Sequence, residues 1–366
     1  MSGTPRRSAY AAAGVDVSAG ELAVDMLRAR LSTSRLDLLG GIGAFGAALA
    51  LPAGYDQPVL VSATDGVGTK TEIARALDRL DTIGQDLVAM CADEVVCHGA
   101  RPTFFLDYVA LGRLDPRRVA AIVGGIAEAC QQIDCALVGG ETAEHPGLMQ
   151  PDAFDLAGFC VGLVERDLLL DGSSCADGDV VLGLASSGLH ANGFSLVRAL
   201  LGRHGLDLRR PYEEVLAERG LETERRSTER LGDVLLTPTR LYAPHVLALR
   251  DELLARGLRL SAMQHVTGGG LAGNLPRGVP PELGIRLQVG SWPVPVIFEL
   301  LAVLGGLDEA ELRATFNCGL GMAVVVEPAA VEPATRLLAR HDLKAWPIAQ
   351  IRAREELGGA RYAEVS

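Results

Sequence analysis

The chain has 366 residues, 48% of them hydrophobic, and carries 34 Lys and Arg against 46 Asp and Glu, a net charge of −12 and a pI near 5.1. That balance argues against a basic nucleic-acid footprint, and no run approaches the roughly 18 uninterrupted apolar residues of a membrane helix. The length and apolar content predict two domains, each with its own core.

Residues 1 to 58 read as irregular, with one helical patch at "AGELAVDMLRARL" and a glycine cluster at "LLGGIGAFGAAL". Strand candidates follow at "QPVLVSAT", "PTFFLDYVAL", "CALVGGET" and "FDLAGFCVGLVE". Between them, "TIGQDLVAMCADEVVCHG" and "DPRRVAAIVGGIAEACQQI" repeat apolar residues at helical spacing. The second opens with Asp115-Pro116, a cap followed by proline at the first helical position. Turn formers and acids accumulate in "LLLDGSSCADGD", residues 168 to 179, which predicts a boundary there, with domains at 1–170 and 171–366. A second alternation follows: strand "VVLGLASSG", helix "GFSLVRALLGRHG", strand "LSAMQHVTGGG" and strand "GLGMAVVVEP". The fold class is therefore α/β with two domains. Residues 203–233, dense in mixed charge, read as a solvated surface insertion.

Seven cysteines lie scattered, several within apolar runs, without a CxxC pair. The odd count and the absence of a signal core at the N-terminus predict reduced, buried thiols and a cytoplasmic protein. His98 and His145 lack metal-ligand spacing, so zinc is not expected.

The glycines cluster where strand candidates end: "TDGVGTK", "GGETAEHPG", "SSGLHANG" and "TGGG". In α/β folds ligands bind at the carboxyl ends of strands, and Gly lets backbone approach an anion closely. Carboxylates accompany these loops: Asp65, the pair Asp93-Glu94, Asp107 and Glu141. Acids beside phosphate-cradling loops make chemical sense with Mg²⁺ between them, since that ion takes hard oxygen ligands. On this reading Asp65 holds metal, Gly66 and Gly68 admit close backbone approach, and Lys70 neutralises phosphate charge. The spacing is not that of a Walker loop.

In this order, "AGVDVSAG", "GGIGAFG", "SATDGVGTK", "DTIGQDLVAM", "FFLDY", "GGETAEHPG", "AGFCVG", "SSGLHANGFSLVR", "LTPTRLY", "HVTGGGLAGNLPR" and "FNCGLGM" resemble the phosphoribosylformylglycinamidine cyclo-ligase (aminoimidazole ribonucleotide synthetase) family over nearly the whole chain. A wider superfamily of hydrogenase-maturation, selenophosphate and thiamine-phosphate enzymes shares the ATP-binding plan. The resemblance implies two α/β domains, a homodimer formed through the N-terminal sheet, a C-terminal mixed sheet flanked by helices, and the use of ATP and Mg²⁺. It implies conversion of formylglycinamidine ribonucleotide to aminoimidazole ribonucleotide, with release of ADP and phosphate, in purine biosynthesis.

By match to the motifs, Asp65 and Glu94 are expected at the metal. Gly41, Gly43, Asp65, Gly66, Gly68, Thr69, Asp93, Glu94 and Glu141 are expected around ATP. Lys70, His190 and Asn192 are expected in catalysis, and Thr267, Gly268, Gly269 and Gly270 at the substrate's phosphate. Gly40 to Gly46 would form a lid. Glu94 stands where many relatives carry Asp, which moves the carboxylate by about one bond length. The alternative is therefore a paralogue that phosphorylates a different amide or formyl substrate.

Overall fold

The computed structural model describes residues 46–223 and 228–365, together with Leu22 and Leu39. The early helical patch, Gly41 and Gly43 lie outside those residues, apart from Leu22.

The first half builds one four-stranded sheet. Strand β1 (Pro58–Gly66) leads into helix α1 (Lys70–Leu77) and helix α2 (Ile83–Cys97). Then come β2 (Arg101–Leu111), α3 (Pro116–Gln132), β3 (Ala136–Glu144) and β4 (Phe154–Glu165). The strand order is β1-β4-β2-β3, antiparallel at β1/β4 and β2/β4 and parallel at β2/β3. As the sequence predicts, Asp115 caps α3, its Oδ1 accepting the Arg117 N–H at 2.9 Å.

The second half forms a six-stranded sheet from β5 (Val180–Ala185), β6 (Leu260–His265), β7 (Leu283–Gln288), β8 (Leu320–Val326), β9 (Ala345–Ala353) and β10 (Tyr362–Val365), in the order β10-β7-β9-β5-β8-β6. Only β10/β7 is parallel. Among these strands lie α4 (Phe194–His204), α5 (Tyr212–Ala217), α6 (Leu231–Leu235), α7 (Ala243–Ala255), α8 (Gly270–Asn274), α9 (Val296–Gly305), α10 (Glu309–Thr315) and α11 (Val331–Arg340). Every residue of β8 is buried, as its unbroken apolar run requires of a central strand.

Helix α2 is the hub. It is apolar almost all round, the signature of a helix with no solvent face, and twelve of its fifteen residues are buried. On one side it packs against the first sheet at Gly158, where an added Cβ would meet Phe105, Cys91 and Leu87 within about 3.1 Å. On another side it meets β6 of the second sheet. On a third it touches α3 backbone to backbone. A Cβ at Gly84 would lie 2.3 Å from the Ile126 nitrogen, and one at Gly125 would lie 2.3 Å from the Asp81 carbonyl.

All seven cysteines are free thiols and six are buried, as expected. The 203–233 segment corrects the sequence reading. Its ion pairs, such as Arg210 with Glu218, lie at the surface. Tyr212, Val215, Leu216 and Leu231, however, are buried in the core. The charge density hid an apolar inner face.

Replacing Gly84 with Ala should cost about 1–3 kcal/mol, since overpacking of a closed contact strains backbone on both helices. The check is a thermal or urea melt in which Gly84→Ala lowers the midpoint while Gly202→Ala, on an exposed helix position with nothing within 4 Å of its Cβ, leaves it level or raises it.

Candidate active site

Three glycine-bearing loops meet at the junction of the two sheets. The loop after β1 reaches the second half through Thr69, whose Oγ1 lies 3.1 Å from the Ser195 Oγ. The loop before α4 reaches the loop after β6 through Asn192. A Cβ on Gly268 would lie 3.6 Å from the Asn192 Oδ1. Thr69 thus borders Ser195, and three residues earlier Asn192 borders Gly268.

Asp65 ends β1, half-buried, with Oδ1 accepting the Gly66 N–H at 2.7 Å. Burial pushes its carboxyl up, and the Gly66 bond only partly offsets this. Glu94, on α2, is also half-buried. Its carboxyl is pushed up first by burial and then by the Asp65 charge, while Arg277 opposes the shift. A carboxylate whose proton affinity is raised by a neighbouring carboxylate is a place where a cation would relieve repulsion. Mg²⁺ commonly takes only one or two protein carboxylates, the rest of its shell being phosphate and water. The pair fits that pattern. Among the described residues no cluster of three or more His, Cys, Asp or Glu could hold a metal unaided.

Asp93 does not join them. Consecutive helical residues point about 100° apart, and Asp93 faces the second half, where its carboxylate accepts the backbone N–H groups of Tyr242 (3.1 Å) and Ala243 (3.0 Å) at the start of α7. It is fully buried, and burial raises its carboxyl far above the ordinary range.

Lys70 is likewise turned inward. Its Nζ donates to the Asp86 Oδ1 at 2.8 Å and to the Thr237 carbonyl at 2.8 Å, with both ionic side chains wholly buried. The same Oδ1 accepts the Thr239 N–H (2.8 Å) and hydroxyl (2.6 Å). Burial pushes the Asp86 carboxyl up and the Lys70 ammonium down, against the pull of their own pairing. Lys70 anchors the two halves and does not face the cleft.

Glu141 sits on the wrong side of the sheet. It pairs in register with Tyr108, and Gly140 with Asp107, so the strand alternation sends Glu141 to the outward face with half-exposed Tyr108 while Asp107 points in.

His190 is buried beneath the cleft in a left-handed backbone conformation, φ 63°, uncommon outside Gly. Its Nε2 accepts the Ser187 N–H at 3.2 Å, which puts the proton of the neutral ring on Nδ1. Burial, then His265, Lys70 and Arg240, hold it well below the ordinary histidine range. Nδ1 has no partner among the described residues. Gly321 makes room, since a Cβ there would lie 2.2 Å from the His190 Cε1.

Asn274, which the sequence reading left without a role, shapes the loop after β6. Its Nδ2 donates to the carbonyls of Thr267 (3.2 Å), Gly268 (3.1 Å) and Gly270 (2.7 Å). Gly269 and Gly270 take φ of 91° and 59°, and a Cβ on Gly270 would lie 2.1 Å from the Arg313 carbonyl. The Asn in "TGGGLAGN", four residues past the third glycine of the run, is the available signal.

Against known proteins, residues 46–164 match the N-terminal domain and residues 176–360 the C-terminal domain of AIR synthase related protein. A phosphoribosylformylglycinamidine cyclo-ligase of Burkholderia mallei (strain SAVP1) is 46% identical over 348 residues, 95% of this chain and 94% of the relative. The chain belongs to the AIR synthase family. In fold it is similar to a thiamine-monophosphate kinase from Stenotrophomonas maltophilia K279a (TM-score 0.65, 22% identity, 94% of this chain and 95% of that one). It is similar also to the hydrogenase maturation protein HypE in complex with ATP (TM-score 0.63, 19% identity, 96% and 92%). The family plan accounts for the two sheets and for the cleft between them.

Asp107 offers a pH test. It is buried on β2 with Oδ2 unpartnered, and burial pushes its carboxyl up to about 7. The folded state therefore binds a proton between about pH 4 and 7 that the unfolded chain has released, so this group's contribution to stability falls as pH rises through that window. Asp107→Asn should stabilise the fold by about 1–3 kcal/mol at pH 8 and by little at pH 4.5, measured as melting temperature against pH. A gain independent of pH would refute this account.

Proposed function

We propose that the chain is an ATP-dependent phosphoribosylformylglycinamidine cyclo-ligase, closing formylglycinamidine ribonucleotide to aminoimidazole ribonucleotide with release of ADP and phosphate. The observation that carries this reading is near-full-length identity of 46% to cyclo-ligases, joined to a cleft whose two acids lie beside glycine loops.

The chemistry suits the residues. The formyl oxygen of an amide leaves poorly. Transfer of the ATP γ-phosphoryl to it makes a phosphate leaving group, after which the amidine nitrogen bonds to the formyl carbon and phosphate departs. Such a step asks for positioning and charge neutralisation more than for a covalent nucleophile. Asp65 and Glu94 would hold Mg²⁺, which neutralises charge on the phosphoryl oxygens. The ATP complex of a structural neighbour supports nucleotide binding in this fold.

Asn192, its Oδ1 near Gly268, would contact the substrate, while His190, wholly buried against Gly321, would support the loop from beneath. Thr267–Gly270, its carbonyls tied back by Asn274, would receive the substrate's phosphate. Gly66, Gly68 and Thr69 would line the nucleotide's side of the cleft.

The homodimer and the cytoplasm belong to the same proposal, as does a domain division near 170. The outward face of the first sheet presents Leu60, Phe159 and Tyr108 at 65%, 39% and 38% exposure, an apolar surface suited to a second copy. Free thiols support a reducing compartment. No helix among the described residues is long and apolar enough to cross a membrane. Neither feature behind the paralogue reading favours it: Glu94 reaches the neighbourhood of Asp65 despite its extra methylene, and the 203–233 segment packs into the core.

With purified protein, Mg²⁺, ATP and formylglycinamidine ribonucleotide, ADP and the aminoimidazole product should appear in equal amounts. Asp65→Asn should lower kcat by about two orders of magnitude or more with the circular dichroism unchanged. Unaltered turnover in that variant would remove the acid pair from the mechanism.

A further inference from the structure

Lys70, the cation that the glycine-loop motif suggests for a phosphoryl group, is turned into the core and spent on Asp86. A cleft that brings a nucleotide beside two acids still needs positive charge from the protein, because phosphoryl transfer is catalysed chiefly by positioning and by neutralising the oxygens of the group in flight.

A cavity of about 320 Å³ between the two halves holds such a charge. Glu94 and His98 near the end of α2 line it, with Asp171, residues of β6, and the turn from Asn274 to Gly278. Among the described residues that line it, Arg277 is the single arginine or lysine, and none belongs to the Thr267–Gly270 loop.

The backbone that carries Arg277 is held firmly. Residues Leu275–Gly278 form a 3-10 turn with Leu275 and Pro276 buried. Arg361 Nη2 donates to the carbonyls of Pro276 (2.6 Å) and Val279. A Cβ on Gly278 would lie 2.8 Å from the Gln264 Nε2, and one on Gly172 would lie 2.2 Å from the Gly278 carbonyl oxygen. The turn is thus wedged between β6 and the segment that joins the sheets. Its guanidinium is left free by this scaffold. Arg277 is exposed, and its one hydrogen bond among the described residues is a long contact, Nη1 to the Asn274 Oδ1 at 3.4 Å. Most of its five N–H donors remain available to a ligand.

The charge of Arg277 acts on the acids. Burial and then the Asp65 charge push the Glu94 carboxyl up, and Arg277 is what opposes them. A cation that shares a cavity with one of the two proposed metal acids is placed for the phosphoryl oxygens that such a metal would hold. The planar fork can meet two oxygens of one phosphoryl group at once, which a lysine cannot.

We infer that Arg277 is a catalytic residue, donating to the phosphoryl group as it passes from ATP to the formyl oxygen. In that step the formyl oxygen bonds to the γ-phosphorus, the bond from that phosphorus to the ADP oxygen breaks, and its electron pair leaves with ADP. The inference rests on the cyclo-ligase reading.

The test is Arg277→Ala in the full-length protein. Its kcat should fall about a hundredfold or more, with the KM for formylglycinamidine ribonucleotide within about threefold. The melting temperature should stay near wild type, since the side chain makes one long hydrogen bond. Millimolar guanidinium chloride should restore part of the lost kcat in the Ala variant and none in wild type, a response that a structural residue would not give. Arg277→Lys, which keeps the charge and loses the fork, should fall between the two. An unchanged kcat in the Ala variant overturns the assignment. A loss carried by the substrate KM alone overturns it too, by giving the guanidinium to the substrate's own phosphate. A lowered melting temperature without rescue marks a structural residue and has the same force. A wild-type protein inert toward formylglycinamidine ribonucleotide overturns the cyclo-ligase reading itself, whereas an active wild type with an equally active Arg277→Ala overturns only the role of Arg277.

Discussion

Two carboxylates on one helix, Asp86 and Asp93, bind the halves of the molecule together. Both lie on α2, both are buried completely, and each accepts hydrogen bonds from the chain around 237–243: Asp86 from Thr239 and Asp93 from Tyr242 and Ala243. A buried carboxylate is expensive unless it is saturated with donors. Its donors must therefore stay in place, and they belong to the other half. Lys70 supplies the countercharge to Asp86 from the first half and reaches the Thr237 carbonyl of the second. The cleft residues are positioned by this arrangement. Glu94 is one residue past Asp93, so the contact that fixes Asp93 also fixes where Glu94 emerges beside Asp65.

Much of this was legible. The strands of the first sheet, its two long helices and β5, β6 and β8 all stand where apolar runs and periodicity put them. Strands β7 and β9 and the short β10 were not read. "LGIRLQ" and "AWPIAQIRA" are brief, carry charge or proline, and gain their strand character from neighbours distant in sequence. Helix α7 is apolar on most faces and gives no clean stripe. It too is defined by what packs on it.

The site was legible in its loops more than in its charges. Three of the four glycine clusters, at 62–70, 186–193 and 267–270, lie near one another, and the Asp65 charge acts on Glu94. Lys70 was misread because a lysine after a glycine loop resembles an anion contact, whereas its partner is sixteen residues away on the next helix, a tertiary fact. Glu141 was avoidable: Gly140 and Glu141 are neighbours in a strand, so they cannot share a face, and the inward place falls to Gly140 beneath Asp107. Asp93 and Glu94 posed the same question in helical form, and the 100° step between them allows one acid at the cleft.

The fused backbone contact of α2 with α3 at Gly84 and Gly125 has a mechanical corollary. A helix clamped on three sides, with two saturated buried acids, cannot serve as a hinge, since any rotation of one half against the other would strip donors from Asp86 and Asp93 together.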